Sequence, residues 1–203
     1  GYLEKGDSSL VCMADHFIQC AGYEKSGFFL HDYKSCLAAL REARQSGYGV
    51  LLLGVSFALL DMAEQFPAPL GRDVIVMETG GMKGRRKEMI RSALHQRLQT
   101  AFGVDKIHSE YGMTELQSQA YAPEDGLFLP APSMRVLARE LTDPRAYVSP
   151  GRTGALNIID LANLDTLSFV ATDDLGRVDH RQHFEVLGRM DGSEARGCNL
   201  MIA

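Results

Sequence analysis

The chain has 203 residues, of which 45% are hydrophobic, enough for one domain with a sizeable core or for one domain and a small second lobe. Its net charge of −5 does not indicate a nucleic-acid partner or a membrane surface. No run approaches the roughly 18 apolar residues that a membrane span needs. The four cysteines lack the spacing of a metal site or a disulfide framework, and no secretory signal is present. We therefore expect reduced thiols in a cytoplasmic protein.

The first half of the chain alternates helical and strand patterns. In chain order the patterns predict a helix over 8–21, a strand over 26–32, a helix over 33–47, a strand over 48–54, a helix over 55–66, a strand over 72–81, a helix over 86–103 and a strand over 105–112. The continuous apolar run 48–54 is typical of a central parallel strand. Such alternation predicts a parallel sheet with right-handed crossovers, whose ligands bind outside the carboxyl ends of the strands. Gly80-Gly81 and Tyr111–Glu115 would both lie on that edge.

After residue 120 the pattern changes to short alternating runs between Gly, Pro and Asp, which predict antiparallel strands and turns. We therefore expect two domains: an α/β sheet region over 1–125 and a small β-rich lobe over 126–203. The predicted fold class is α/β, with a mostly parallel sheet flanked by helices and followed by the strand-rich lobe.

The stretch Tyr111–Glu115 delivers an aromatic ring, a hydroxyl and a carboxylate within five positions. Tyr111 can stack on a base, while Thr114 and Glu115 can meet phosphate oxygens and a hard cation, which prefers oxygen ligands. The alternative is a strand end with a turn glycine and a solvated Thr-Glu pair. In the same way, residues 172–177 (Thr-Asp-Asp-Leu-Gly-Arg) are either part of a binding site or an Asp-rich turn between strands.

Two further features have both a functional and a plain interpretation. Lys83, Arg85 and Arg86 form a basic cluster that can neutralise pyrophosphate or a partner's acidic surface, or can be a solvated helix start. Cys198 lies in a Gly-containing segment near the chain end, and it is either a reactive thiol or a small buried one.

Three motifs in order, Tyr-Gly-Met-Thr-Glu (111–115), Thr-Asp-Asp-Leu-Gly-Arg (172–177) and Gly-Arg-Met-Asp (188–191), resemble those of the adenylate-forming enzymes. These include acyl-CoA synthetases, aryl-CoA ligases and peptide-synthetase adenylation domains. The stretches YLEKGDSSLVCMADH, METGGMKGRRKE and EARGCNLM are most similar to the acyl-protein synthetases that work beside a fatty-acyl reductase in bacterial luminescence. This closer resemblance spans essentially the whole chain.

The resemblance implies part of an adenylate-forming large domain, with ATP and Mg²⁺ as cofactors and a fatty or other carboxylic acid as substrate. It assigns nucleotide binding to Gly80, Gly81, Tyr111, Gly112, Met113, Thr114, Asp174 and Arg189. Glu115 would help to hold Mg²⁺, and Cys198 would receive the acyl group from the adenylate. The family usually has Thr-Gly-Asp where this chain has Thr172-Asp173-Asp174, so both aspartates stay candidates for the ribose, with Asp174 at the motif's position.

The sequence contains no Ser/Thr/Gly-rich loop of the kind that holds the triphosphate in these enzymes. We therefore expect a carboxyl-terminal portion that begins after that loop and is inactive alone, with an acyl-reductase protein as partner. One alternative is an acyl- or aryl-CoA ligase of the phenylacetate-activating type. The other is a non-catalytic remnant that binds a nucleotide or a partner protein.

Overall fold

A computed structural model describes residues 8–81 and 89–190 of the chain. Within them the chain forms two compact units that divide between residues 107 and 108. The elements of the first unit are α1 (Ser9–Ala21), α2 (Tyr33–Gln45), β1 (Val50–Val55), α3 (Ser56–Gln65), β2 (Val74–Thr79) and α4 (Arg91–Phe102). Those of the second unit are β3 (His108–Tyr111), β4 (Ala120–Ala122), β5 (Leu127–Pro130), β6 (Met134–Arg139), β7 (Thr153–Asp160), β8 (Phe169–Val178) and β9 (Phe184–Arg189).

The first two helices start at the capping residues that their sequences offer. The Ser8 side chain accepts a hydrogen bond from the Val11 amide, and Asp32 accepts one from the Ser35 amide. The prediction of a strand over 26–32 is wrong. This segment is a turn in which Leu30 has φ of +50° and the Asp32 amide bonds to the Phe29 carbonyl. Capping of α2 by Asp32 thus replaces the strand that the apolar residues suggested.

Strands β1 and β2 pair in parallel from Val50 opposite Val74 to Val55 opposite Thr79. Among the described strands β1 lies at the edge of the sheet, with Leu51 45% exposed, so it is not the central strand predicted from its apolar run. The core of this unit consists of residues from α2, α3, β2 and α4 and from the connections beside them. Its most buried side chains include Leu60, Leu70, Val76, Leu98 and Phe102.

The second unit is an antiparallel sheet with strand order β3-β4-β5-β9-β8-β7-β6. Alternate residues of its strands face one core, as the period of two in a half-buried strand requires. The fully buried side chains of this core include Phe128, Phe184, Val136, Leu156 and Ile158.

A register shift between Leu175 and Gly176 brings Asp174 opposite Arg189 on the neighbouring strand. Gly176 makes the shift possible, because a Cβ there would stand 2.3 Å from the carbonyl oxygen of Glu185. A bulge of this kind re-aims the side chains beside it. In this sheet it aims two charged residues of predicted function at each other.

The α/β fold class is confirmed as a mixed one, since β1 and β2 pair in parallel beside helices and the strands of the second unit pair antiparallel. Strand β3, predicted at 105–112, pairs antiparallel with β4 and belongs to the second unit. The predicted domain boundary after residue 125 falls inside that unit and stays a prediction about the protein. None of the helices in 8–81 and 89–190 is long and apolar enough to cross a membrane.

Candidate functional site

The second unit brings three of the predicted residues together, from three different strands. Tyr111, the last residue of β3, donates a hydrogen bond of 2.7 Å from its hydroxyl to Asp174 Oδ2 on β8. Arg189, the last residue of β9, lies with its Nε 3.8 Å from Asp174 Oδ1. The motifs in which these residues occur are distant in sequence, and the sheet makes them one cluster.

The Tyr111 ring is held in place by two aromatic residues of the core. Its centroid lies 5.3 Å from that of Phe184 in an edge-to-face arrangement and 5.8 Å from that of Phe128. Phe128 and Phe184 stack on each other at 5.3 Å. Such aromatic pairs contribute about 0.5–1.5 kcal/mol beyond their buried area. The ring that the sequence offers for stacking on a base is therefore a fixed, half-buried surface.

Arg189 contacts both candidate aspartates. Its Nη2 donates to Asp173 Oδ2 at 3.3 Å, and its Nε faces Asp174. That Nε is buried, and it has no hydrogen-bond partner within the described part of the chain. The side chain of Asp174 is 17% exposed and that of Asp173 is 35% exposed. Asp174 is thus the more enclosed carboxylate and the one bound to Tyr111, whereas the carboxylate of Asp173 accepts its hydrogen bond from Arg189.

Thr172 and Arg139 hold the backbone that carries Asp173 and Asp174. The Thr172 hydroxyl donates to the Leu156 carbonyl at 2.8 Å and accepts from the Asp174 amide at 3.1 Å. Arg139 donates to the Thr172 carbonyl at 2.9 Å and also to the Leu156 carbonyl. Sequence reasoning noted Thr172 only as part of a motif. It missed Arg139, because an arginine in an alternating strand pattern is usually a solvated residue.

Burial changes the acid–base properties of this cluster. Burial, followed by the negative charge of Asp174, raises the pKa of the Tyr111 hydroxyl well above its ordinary value. Burial also raises the pKa of Asp174, although the hydrogen bond from Tyr111 and the charge of Arg189 act in the opposite direction. Burial therefore disfavours the ionised form of Asp174. Additional hydrogen bonds from hydroxyl donors would stabilise that form. Hydroxyls of a ribose are donors of this kind.

Thr114 and Glu115 lie on the exposed turn that connects β3 to β4. The Leu116 amide closes the turn with a hydrogen bond of 3.0 Å to the Met113 carbonyl, and Thr114 and Glu115 lie exposed at its tip. Gly112, also exposed, precedes the turn, and Met113 packs against the core of the unit. The turn thus follows Tyr111 directly along the chain.

The chemistry of Glu115 fits a magnesium ion held mainly by a substrate. No group of three or more His, Cys, Asp or Glu residues with metal-binding geometry occurs in residues 8–81 and 89–190. Mg²⁺ usually binds through one or two carboxylates together with substrate phosphates and water, rather than in a cage made by protein alone. A single exposed carboxylate such as that of Glu115 can therefore be the protein ligand of a magnesium ion that is held mainly by phosphates.

Gly80 and Gly81 follow β2 in the first unit. Gly80 has φ of +68°, a conformation that favours glycine, and its carbonyl accepts a hydrogen bond of 2.8 Å from the Ser56 hydroxyl. A Cβ added to Gly81 would meet nothing within 4 Å. This open backbone suits the close approach of a flat ring, and the role of both glycines at the adenine stays a prediction.

A buried polar cluster that sequence reasoning missed supports this turn. Glu78 is 3% exposed; its Oε2 accepts from Ser56 at 2.7 Å, and its Oε1 lies 3.4 Å from Arg91 Nε and 3.5 Å from His95 Nε2. The sequence signal was a glutamate in an apolar strand, since such a residue is rarely buried unless it is paired.

Of the cysteines, Cys12 and Cys20 are exposed and Cys36 is buried. Burial, followed by the charge of Asp32, raises the pKa of the Cys36 thiol to about 11, so this thiol is unreactive at neutral pH. Cys198 and the basic cluster of Lys83, Arg85 and Arg86 lie outside the described residues, and their predicted roles stay predictions.

The arrangement of helices and strands in this chain is found in solved structures at low sequence identity. Solved structures with this arrangement include ATP-bound MatB from Rhodopseudomonas palustris, with a TM-score of 0.56 and 16% identity over 77% of this chain and 33% of that one. O-succinylbenzoate coenzyme A synthetase from Bacillus subtilis, in complex with ATP and magnesium ion, has a TM-score of 0.52 and 16% identity over 75% of this chain and 34% of that one.

Coronafacic acid ligase from Pectobacterium brasiliense, in its R395G mutant form, has a TM-score of 0.55 and 18% identity over 78% of this chain and 32% of that one. The sequence matches no family model and no curated protein. At these identities the likeness shows the fold, and the chain spans about a third of the length of the solved structures that it matches.

Proposed function

We propose that the chain is part of an ATP-dependent enzyme that activates a carboxylic acid, most similar to the acyl-protein synthetases. The observation that carries the proposal is the Tyr111–Asp174–Arg189 cluster, with its 2.7 Å hydrogen bond and its charge pair at the ends of β3 and β9. A fold shared with enzymes solved in complex with ATP supports it. The cluster offers a nucleotide what it needs, namely an aromatic face, an enclosed carboxylate and a cation.

The reaction has two steps whose atoms balance. First, a carboxylate oxygen of the substrate attacks the α-phosphorus of ATP; the new bond is the acyl–phosphate bond of a mixed anhydride, and the bond to pyrophosphate breaks. Next, a thiolate attacks the acyl carbonyl carbon, a thioester forms and AMP leaves with the electron pair. Adenylation is required because a carboxylate is electron-rich and has a poor leaving group. In the proposal the thiol acceptor is Cys198 and the substrate is a fatty acid.

The residues of the second unit would hold the nucleotide while pyrophosphate leaves. Asp174 would accept hydrogen bonds from the ribose hydroxyls, which an ionised acceptor binds more strongly than a neutral one. Arg189 would keep Asp174 ionised and assist nearby, and Tyr111 would present its ring to the adenine. Thr114 would contact phosphate. Glu115 would bind Mg²⁺, which supplies positive charge to the phosphate oxygens.

A coenzyme A ligase is the second candidate. It is favoured by the fold shared with O-succinylbenzoate coenzyme A synthetase, although the identity of 16% carries no substrate assignment. The two candidates share the first step and differ in the thiol. An acyl-reductase partner would receive the acyl group from the protein thioester in the first case and has no role in the second.

The test is binding of AMP to the 203-residue chain by calorimetry, with Asp174→Ala and Asp173→Ala as a matched pair. Hydrogen bonds to a charged group contribute about 1.5–3 kcal/mol, so Asp174→Ala should weaken AMP binding roughly ten- to a hundredfold. Asp173→Ala should change it much less. Equal affinity in wild type and Asp174→Ala, with circular dichroism unchanged, would remove Asp174 from the site. A loss confined to Asp173→Ala would transfer the ribose role to that residue.

A further inference from the structure

The end of β7 contacts the turn that carries Thr114 and Glu115, at a place that none of the motifs indicates. Asp160, the last residue of β7, is 0% exposed, and Asn163, three residues later, is 4% exposed. Both side chains bond to the β3–β4 connection. They are among the few polar side chains of the described chain that are almost fully buried, so their contacts require an explanation.

Asp160 anchors the β3–β4 connection at the residues that follow Glu115 in the chain. Its Oδ2 accepts from the amides of Gln117 at 2.7 Å and Ser118 at 2.8 Å. Its Oδ1 accepts from the Ser118 hydroxyl at 2.6 Å and from the Ala162 amide at 3.1 Å. Four donors on one buried carboxylate leave it a single orientation. The backbone at 117–118 is thereby fixed to β7.

Asn163 holds Glu115 itself. Its Nδ2 donates to the Glu115 carbonyl at 2.9 Å and to the Leu167 carbonyl at 3.1 Å. Its Oδ1 accepts from the Thr166 hydroxyl at 2.5 Å, so every polar atom of this amide is used. Between the two anchors only the buried Leu116 intervenes, and the Glu115 backbone has little freedom to rotate.

We propose that Asp160 and Asn163 are positioning residues for the magnesium-binding carboxylate of Glu115. The proposal rests on the function proposed above. An exposed side chain binds a small, geometrically demanding cation well only if its backbone is fixed, because Mg²⁺ requires nearly ideal octahedral geometry. Residues that orient a ligand in this way typically affect metal affinity strongly, although they never touch the metal. The anchors act through the Glu115 carbonyl and the amides beyond it.

The test compares ATP binding to the 203-residue chain in Mg²⁺ and in EDTA. The ratio of the ATP affinity in Mg²⁺ to that in EDTA is called the metal-dependent gain in affinity. Asn163→Ala should reduce this gain about fivefold, the value of one hydrogen bond of ordinary strength, and should leave affinity in EDTA unchanged. Thr166→Val is the matched control, since it removes a bond to Asn163 and none to Glu115; it should retain the gain. The amide of Leu116 should exchange hydrogen faster in Asn163→Ala than in Thr166→Val.

The outcomes separate this inference from the function on which it rests. If wild type shows a gain and Asn163→Ala retains it, the positioning role is wrong while the proposed function stands. If wild type binds no ATP in either buffer, both proposals fail. Asp174→Ala should weaken binding equally in both buffers, unlike Asn163→Ala. Asn163→Asp keeps the size of the side chain and the acceptor for Thr166; if Asn163→Ala does not fold, this variant must show the same loss of gain.

Discussion

Asp174 combines two demands that oppose each other. Its carboxylate is largely enclosed and has a raised pKa, yet binding of ribose hydroxyls requires the ionised form. A group whose folded pKa lies above its unfolded value releases its proton less readily when folded. Stability therefore falls as the pH rises from the unfolded pKa through the folded one. Such a cost at a candidate site is expected where a residue serves binding rather than folding.

We predict that Asp174→Asn becomes more favourable for stability, relative to wild type, as the pH rises through the pKa of Asp174. Asparagine keeps an acceptor for the Tyr111 hydroxyl and removes the buried charge. The measurement is urea unfolding of both proteins between about pH 3 and pH 7, with the difference in free energy of unfolding plotted against pH. A difference that is independent of pH would show that Asp174 has no raised pKa in the folded protein.

At the scale of elements, the buried carboxylate of Asp160 joins β7 to the β3–β4 connection. Hydrogen bonds from Ser118, Gln117 and Ala162 outweigh the effect of burial and lower the pKa of Asp160. The pKa of Asp160 is thus shifted in the opposite direction to that of Asp174. This carboxylate stabilises the protein above its unfolded pKa, and the stabilisation is lost as the pH falls through the folded pKa.

We predict that Asp160→Asn lowers the free energy of unfolding at pH 7 by roughly 2–5 kcal/mol, because either orientation of the amide directs an NH₂ group at N–H or O–H donors. Ser133→Ala is the control, since the Ser133 hydroxyl contacts Ser118 and not Asp160. It should cost much less. The deficit of Asp160→Asn should shrink below about pH 4, where wild type loses the same contribution. Unfolding by urea at pH 7 and pH 3 measures both effects, and an equal deficit at the two values would contradict the lowered pKa.

At the scale of the whole molecule, acyl transfer to Cys198 can be tested without the adenylation step. Supplying a labelled fatty acyl-adenylate to the 203-residue chain makes the test independent of a triphosphate-binding loop. An ordinary thiol is only a few per cent ionised at neutral pH, so an exposed cysteine should react slowly with the adenylate. A cysteine that is placed beside the bound acyl group should be labelled faster. We predict a hydroxylamine-sensitive thioester whose formation AMP inhibits by competition.

The exposed thiols of Cys12 and Cys20 are internal controls for this experiment. Cys198→Ser should abolish the AMP-sensitive label, and Cys12→Ser or Cys20→Ser should not. With ATP and free fatty acid in place of the adenylate, the same chain should give no label and no pyrophosphate exchange. A label that persists in Cys198→Ser would assign the acyl group to another residue, whereas wild type without any AMP-sensitive label would favour the coenzyme A ligase, in which the acceptor thiol is not in the protein.

The sequence was sufficient for the features that depend on local order. Capping by Ser8, the helix that ends at Gly103 and the strands at 74–79 and 108–111 follow from periodicity and from residues close in the chain. The alternation of helical and strand patterns led to the fold class for the same reason, since each pattern is a short stretch that is legible by itself. The strand prediction over 26–32 was wrong because two local signals compete there. The apolar residues favour a strand, and Asp32 favours the start of a helix.

What only the tertiary structure decided is which distant residues meet. Tyr111, Asp174 and Arg189 become one cluster through pairing of antiparallel strands and a register shift at Gly176, and neither is encoded in the motifs. Asp160 and Asn163 carry no signal in the chain, and the signal of Glu78, a glutamate in an apolar strand, does not say which residues bond to it. A side chain's neighbours in a sheet come from strands whose order the local sequence does not specify. Those neighbours, together with burial, set the pKa values of Tyr111 and Asp174.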